Sequence, residues 1–307
     1  MNDASKETYA YFLGNALHEA PARMKSRELI ALLLTAALAL PASGAETSKE
    51  SDDLFNPTPD EFLRAFCTDR PPKANLPCTV DAGHFQYEAD VVNWTRAQTA
   101  GARSDLLLTA NPTLKIGLNS WSDLEFNMVP LATLITRGPG GTRLTSGPGD
   151  LFLRAKINLA GPEGGDFQAA LIPYVKAPTA VPGLGDGATE GGVIAPVSFA
   201  LGQDFTLLFD PEIDSLRNAA DAGRHYNYQG LANLSRPLTP TLTANCEIWG
   251  QINDDRRAFS RQASLDLSLS WQVWEKKPNL QIDAGANFGL TAATPKIQAF
   301  LGLSQRF

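Results

Sequence analysis

Three carboxylates, Asp210, Glu212 and Asp214, recur at every second position, and an extended chain puts such residues on one face. A row of this kind could hold a metal ion or divide the roles of general acid and base. It is equally what the wetted wall of a barrel carries. Two histidines follow residue 45, His84 and His225. Nucleophilic chemistry would need a Ser or Cys within reach of one of them. His84 is followed by Phe85-Gln86 and His225 by Tyr226-Asn227, so neither offers the His-x-Ser spacing of lipid-acting barrel enzymes. The Gly-rich stretches 138–149 and 183–192 carry no GK[ST], which argues against a phosphate cradle. No enzyme, metal site or cofactor is expected. Cys67 and Cys78 flank ten residues, TDRPPKANLP. They could close a small loop or be two unrelated thiols; an oxidising compartment favours the bridge. Cys246 sits in a strand pattern as a small apolar filler.

The elements that would position these residues are strands. From Ala263 to Trp271 the apolar Ala263, Leu265, Leu267, Leu269 and Trp271 alternate with Gln262, Ser264, Asp266, Ser268 and Ser270. Residues 150–159, 205–214 and 280–290 repeat the pattern, the period-2 signature of two unlike faces. Two features separate a membrane barrel from a soluble sandwich. Charges such as Arg154, Lys156, Glu212, Glu247 and Asp266 fall in mid-strand, and segments of about ten residues suit a tilted crossing of hydrocarbon. Twelve strands are expected, the first near 80–96 and the last near 296–307, closing an all-β, antiparallel, up-and-down transmembrane barrel. The stretches 137–147 and 179–189 read as the longest loops, at the end away from both termini. Trp121, Trp271 and Trp274 fall at the opposite edge, as an aromatic girdle or as ordinary strand-end packing.

Export precedes all of this. Met24 opens a basic stretch with Lys25 and Arg27, an apolar run from Leu29 to Leu40, and small residues ending at Ala45. That is a secretory signal at 24–45; the run is short for a membrane anchor, which needs about 17–25 residues. Residues 1–23 read as a spurious N-terminal extension, 46–78 as a periplasmic segment and 79–307 as the barrel. The net charge of −7 speaks against nucleic acid as a partner. Export and the barrel pattern together imply the outer membrane of a Gram-negative bacterium, with its lipid as one partner. The terminal Phe307 closes an alternating strand and resembles the signal read by the barrel-assembly machinery, a second partner.

Several stretches carry a family likeness: Thr68-Asp69-Arg70-Pro71, then Val80-Asp81-Ala82-Gly83-His84-Phe85-Gln86, and Gly149-Asp150 followed by Arg154 and Lys156. Together these resemble the outer-membrane barrels labelled as meta-pathway phenol-degradation or transporter proteins, over nearly all of 68–307. The resemblance implies the same fold and location, with transport of small, hydrophobic or aromatic molecules. Cys67 and Cys78 depart from the polar or aromatic residues expected beside the first motif, which supports a local disulfide. The inward faces would then carry Glu88, Asp90, Asp150, Arg154, Lys156, Lys176, Asp210, Glu212, Asp214, Glu247, Asp266, Asp283 and Arg306 along the lumen. These groups either pair into a plug-like network or line an open, mildly cation-preferring pore. A conduit for an unidentified small solute is the leading reading, with a surface barrel without transport or a lipid-modifying enzyme as alternatives.

Overall fold

The computed structural model describes residues 51–99, 101–275 and 279–307; the expected signal at 24–45 and the stretch before it lie outside the described residues. Apart from one 3-10 turn, Asp60–Phe62, the elements are strands in the order β1 (Phe85–Thr99), β2 (Ala102–Asn119), β3 (Ser122–Met128), β4 (Leu131–Gly138), β5 (Gly141–Gly147), β6 (Leu151–Ala160), β7 (Phe167–Ala177) and β8 (Glu190–Ile194). They continue as β9 (Val197–Gly202), β10 (Phe205–Phe209), β11 (Glu212–Arg217), β12 (Arg224–Pro237), β13 (Leu242–Asn253), β14 (Ser260–Gln272), β15 (Leu280–Gly289) and β16 (Ile297–Arg306). Among the described residues no helix is long and apolar enough to cross a membrane, which leaves crossing by strands open.

The wall has twelve staves, because β3/β4, β5/β6, β8/β9 and β10/β11 are each one stave with a break. Pro130, Pro148, Pro196 and Pro211 sit in the four breaks, where a residue without an N–H cannot hold the ladder. Neighbours bridge the gaps: Gly149 N–H donates to Val129 O at 2.8 Å and Ala195 N–H to Pro211 O at 2.9 Å. All pairings between these strands are antiparallel, and β1 closes onto β16 with Gln86 opposite Arg306.

The burial pattern is inverted relative to a soluble sheet. In β14 Gln262, Ser264 and Asp266 are buried, while Leu267, Leu269 and Trp271 are exposed. The same holds in β1, β13 and β16, where Glu88, Glu247 and Ser304 are buried and Phe85, Ile248 and Leu301 are exposed. Apolar surface covering a whole wall marks contact with something other than water. Lipid satisfies that, and a closed barrel leaves no unpaired edge to face it.

The end carrying Phe307 is the lower end. Its connections include 161–166 and 273–279; the upper end carries 178–189, 218–223, 254–259 and 290–296. Two sequence expectations are corrected here. Residues 137–147 are not a loop: β4 and β5 pair from Ala132↔Gly147 to Gly138↔Gly141, turning on Pro139-Gly140. Gly141 has φ +104, which only glycine adopts without strain. The first stave begins at Phe85 rather than residue 80, because 81–84 form a turn at the lower end, with His84 N–H donating to Asp81 O at 3.1 Å.

Candidate functional site: a charge-zipped plug

Residues 46–78 are expected as a periplasmic segment. In their described part, 51–65 lies at the lower end, where Asp53 bridges Asn119 and Phe55 is exposed, whereas the stretch from Phe66 to Val80 threads the lumen. This stretch lacks the period-2 pattern and is rich in proline, so it cannot join the wall as a strand. Cys67 and Cys78 form a disulfide with Cα atoms 6.5 Å apart, folding the stretch into a compact loop.

The wall meets this loop with charges of opposite sign. Arg70 donates from Nη1 to Asp90 at 2.7 Å, and from Nη2 and Nε to the two oxygens of Asp283 at 2.7 and 3.1 Å. The fork-shaped contact on Asp283 is the strong, directional kind available to arginine. Its guanidinium also lies 5.7 Å from the Phe300 ring centre. Room for it comes from Gly302, where any Cβ would collide with the guanidinium. Asp69 accepts hydrogen bonds from Lys115 and from Lys156, the latter at 2.7 and 2.8 Å. Lys73 donates to Asp266 and Ser264, both at 2.5 Å, and stands 4.7 Å over the Trp249 ring. Asn75 donates twice to Asp210, at 2.8 and 3.0 Å. The backbone N–H groups of Lys73 and Ala74 donate to Glu247 at 3.2 and 3.3 Å.

Burial would push the Asp69 carboxyl up, but Lys115 and Lys156 outweigh it and hold the group well below the usual carboxylate range. Burial likewise works against the charged form of Arg70, and Asp90 and Asp283 overcome it. Ions taken out of water in this way are stable only while both partners stay. Below them, Arg64 binds Asp81 at 2.7 Å and donates to Ser120 O and Pro162 O at 3.0 and 2.9 Å. This ties the foot of the plug to two lower turns. His84 spans from Phe307 O, 3.0 Å from Nδ1, to Thr58 O, 2.8 Å from Nε2; its ring holds main chain and serves no nucleophile.

Above the plug the wall changes character. Asn111 and Asn93 donate to Asp90 at 2.9 and 3.0 Å, Gln298 to Asn93 at 2.7 Å, and Asn287 to Gln298 at 2.6 Å. On the other side, Tyr174, Asn227 and Gln229 all donate to Asp214, at 2.7, 2.7 and 3.0 Å. The long connection 178–189 folds inward. Leu184 packs among Leu106, Leu108, Val129, Ala132 and Leu134, and Lys176 donates to Asp186 at 2.9 Å and to Glu190 at 2.5 Å.

Of the sequence-derived positions, Glu88, Asp90, Arg154, Lys156, Lys176, Asp210, Glu212, Asp214, Glu247, Asp266 and Asp283 are buried in the interior. Asp150 and Arg306 are half-buried, Arg306 at the lower end 3.4 Å from Asp81. Asp210, Glu212 and Asp214 do not form one cluster: Asp210 meets the plug, while Glu212 and Asp214 share a hydrogen bond and Asp214 also meets Tyr174. Among the described residues no group of three His, Cys, Asp or Glu could hold a metal. Cys246 faces outward and is exposed. Asp69, Arg70, Lys73 and Asn75 were missed as site residues. Their signal was present, since charges in an aperiodic stretch beside a barrel's acid-rich inner face have few other places to go.

A closed antiparallel wall, greasy outside and charged within, defines an outer-membrane-type β-barrel. The family model described as "Putative MetA-pathway of phenol degradation" matches residues 68–307, and the chain belongs to that family. No curated protein matches it. Among solved structures it is similar to the NanC porin, at 9% identity over 72% of this chain and 98% of that one, TM-score 0.46. It is also similar to the translocator domain of the autotransporter NalP from Neisseria meningitidis, at 11% identity over 73% and 88%, TM-score 0.45. The KdgM porin matches at 8% identity over 70% and 98%, TM-score 0.40.

Proposed function

We propose that the chain is exported by the signal at 24–45, assembled into the outer membrane through its Phe307 end, and acts there as a conduit for small solutes whose resting state is closed by its own N-terminal segment. Hydrophobic or aromatic molecules are the favoured cargo, on family grounds alone. One observation carries the closed state: Asp69, Arg70 and Lys73 are each buried and each paired with wall charges. A twelve-stave wall encloses more space than its own side chains fill, and the plug fills the remainder. Displacing it would leave Asp90, Asp283, Asp266, Glu247 and Asp210 facing a wet lumen without their plug partners, against Lys115 and Lys156 of opposite sign, so the opened pore would favour cations. The test is planar-bilayer conductance of the mature chain against a variant lacking residues 58–80. The intact barrel should conduct little, and the deletion should conduct strongly with cation preference. A folded deletion that stays silent would instead support a surface barrel without transport, and anion selectivity would refute the charge assignment.

A further inference from the structure

The upper rim of β1, β2 and β4 carries a charge cluster that faces away from the lumen. Arg96 Nε lies 2.8 Å, Arg103 Nε 3.2 Å and Arg137 Nη1 2.6 Å from the single carboxylate of Asp105. Strand register fixes the direction. Arg96 is opposite Asp105, which is opposite Ile135, and Arg103 is opposite Arg137. The intervening Thr95, Leu106 and Leu134 are buried toward the interior, whereas Leu107 and Leu131, on the face of Asp105, are exposed. The cluster therefore belongs to the outer surface.

Its height is set by the apolar band beneath it. On β1 the outward residues run Phe85, Tyr87, Val92 and Trp94 before Arg96. Nine steps of about 3.3 Å at a tilt near 40° rise about 23 Å, close to the roughly 25 Å apolar band of such barrels. Arg96 is thus the first outward residue beyond hydrocarbon, and its guanidinium lies 4.7 Å over the Trp94 ring, an aromatic of the kind that settles at headgroup level. Three guanidiniums share one carboxylate, leaving a local excess of two positive charges. Their side chains are 36, 43 and 40% exposed. Arg103 reaches Asp105 through a buried Nε at 3.2 Å, and Arg137 and Arg96 each use only one nitrogen on it. Planar, multi-donor cations with spare N–H groups suit phosphate.

We propose that Arg96, Arg103 and Arg137 form a binding site for the phosphate of a lipid headgroup in the outer leaflet, with Asp105 holding the three guanidiniums in register and Trp94 and Leu107 contacting the acyl region below. The upper rim faces the cell exterior when both termini are periplasmic, so the lipid is a phosphorylated glycolipid of the lipid A type. The test uses the refolded mature barrel in neutral detergent, with native mass spectrometry reading retention of diphosphorylated lipid A, its dephosphorylated form, and inorganic phosphate. Wild type should retain diphosphorylated lipid A. Each of R96Q, R103Q and R137Q should weaken retention about fivefold, the effect of one cation near an anionic surface, and the triple variant should abolish it. Heat-modifiable gel mobility confirms that these surface variants fold. Equal retention of the dephosphorylated lipid, full competition by inorganic phosphate at matched concentration, or unchanged retention by a folded triple variant would each overturn the proposal.

Discussion

The lower and upper halves of the lumen are closed by different physics. Below, formal charges from the plug meet formal charges from the wall, as in Arg70 against Asp90 and Asp283. Above, neutral amides hand hydrogen bonds along from Asp90 to Asn287, and one inward loop is anchored on Lys176. A buried ion pair cannot be loosened piecemeal, because removing either partner strands the other in a poor solvent. An amide ladder can exchange partners with water at small cost. The lower half should therefore behave as a two-position latch and the upper half as a graded constriction.

The sharpest way to break this contrast is Arg70→Met. It strands two buried carboxylates, and an unpaired buried charge costs about 3–5 kcal/mol. Urea unfolding of the refolded barrel should register that loss, or the plug should leave and conductance should rise. Adding Asp90→Asn and Asp283→Asn should restore much of the stability, since the stranded charges are then gone. A single variant within about 1 kcal/mol of wild type, with closed conductance, would show that the latch is not electrostatic.

The disulfide comes next. Closing a loop of about a dozen residues removes roughly 3 kcal/mol of chain entropy from the undocked segment. Reduction of Cys67–Cys78 should leave the wall intact by gel mobility while raising the frequency of channel openings. Openings unaffected by reductant would mean that the ion pairs alone set the plug's conformation.

The wall was legible in the sequence and the plug was not, for one reason. A stave writes its environment into every second residue, as in Gln262 through Trp271, so direction and register can be read from local text. At the Pro-marked breaks that parity resets: outward residues are even-numbered before Pro130, as Phe126 and Met128, and odd-numbered after it, as Leu131. The plug has no period. Arg70 finds Asp283 at a separation of 213 positions, and nothing local to either residue names the other. The second arm of the hairpin Leu131–Gly147, within 137–147, reads as a loop because glycine and proline dominate the tip, although Leu144 and the flanking threonines suit a strand. The outward arginines were passed over because each lies near a strand end, where a lone cation is unremarkable. Only the pairing of three staves gathers them around Asp105.

The smallest expected effect lies in the upper half, and it has a sign. Burial pushes the Asp186 carboxyl up, but Lys176 pulls it down further, so in the folded state it sits below the ordinary range. A depressed carboxyl contributes stability that is fully present above its unfolded value, about 4, and is lost as pH falls through the folded value. The loop 178–189 should accordingly resist proteinase K from neutral pH down to about 4 and loosen below that. Lys176→Met should loosen it at neutral pH, where Asp150, Asp186 and Glu190 would face one another without a cation. The cost should be about 2 kcal/mol, as for the loss of a hydrogen bond to a charged group, since Lys176 and Glu190 are both buried. The lower latch should stay shut under the same substitution, since none of its pairs includes Lys176. If Lys176→Met freed the plug as well, the two halves would be one cooperative unit and the contrast between latch and constriction would fail.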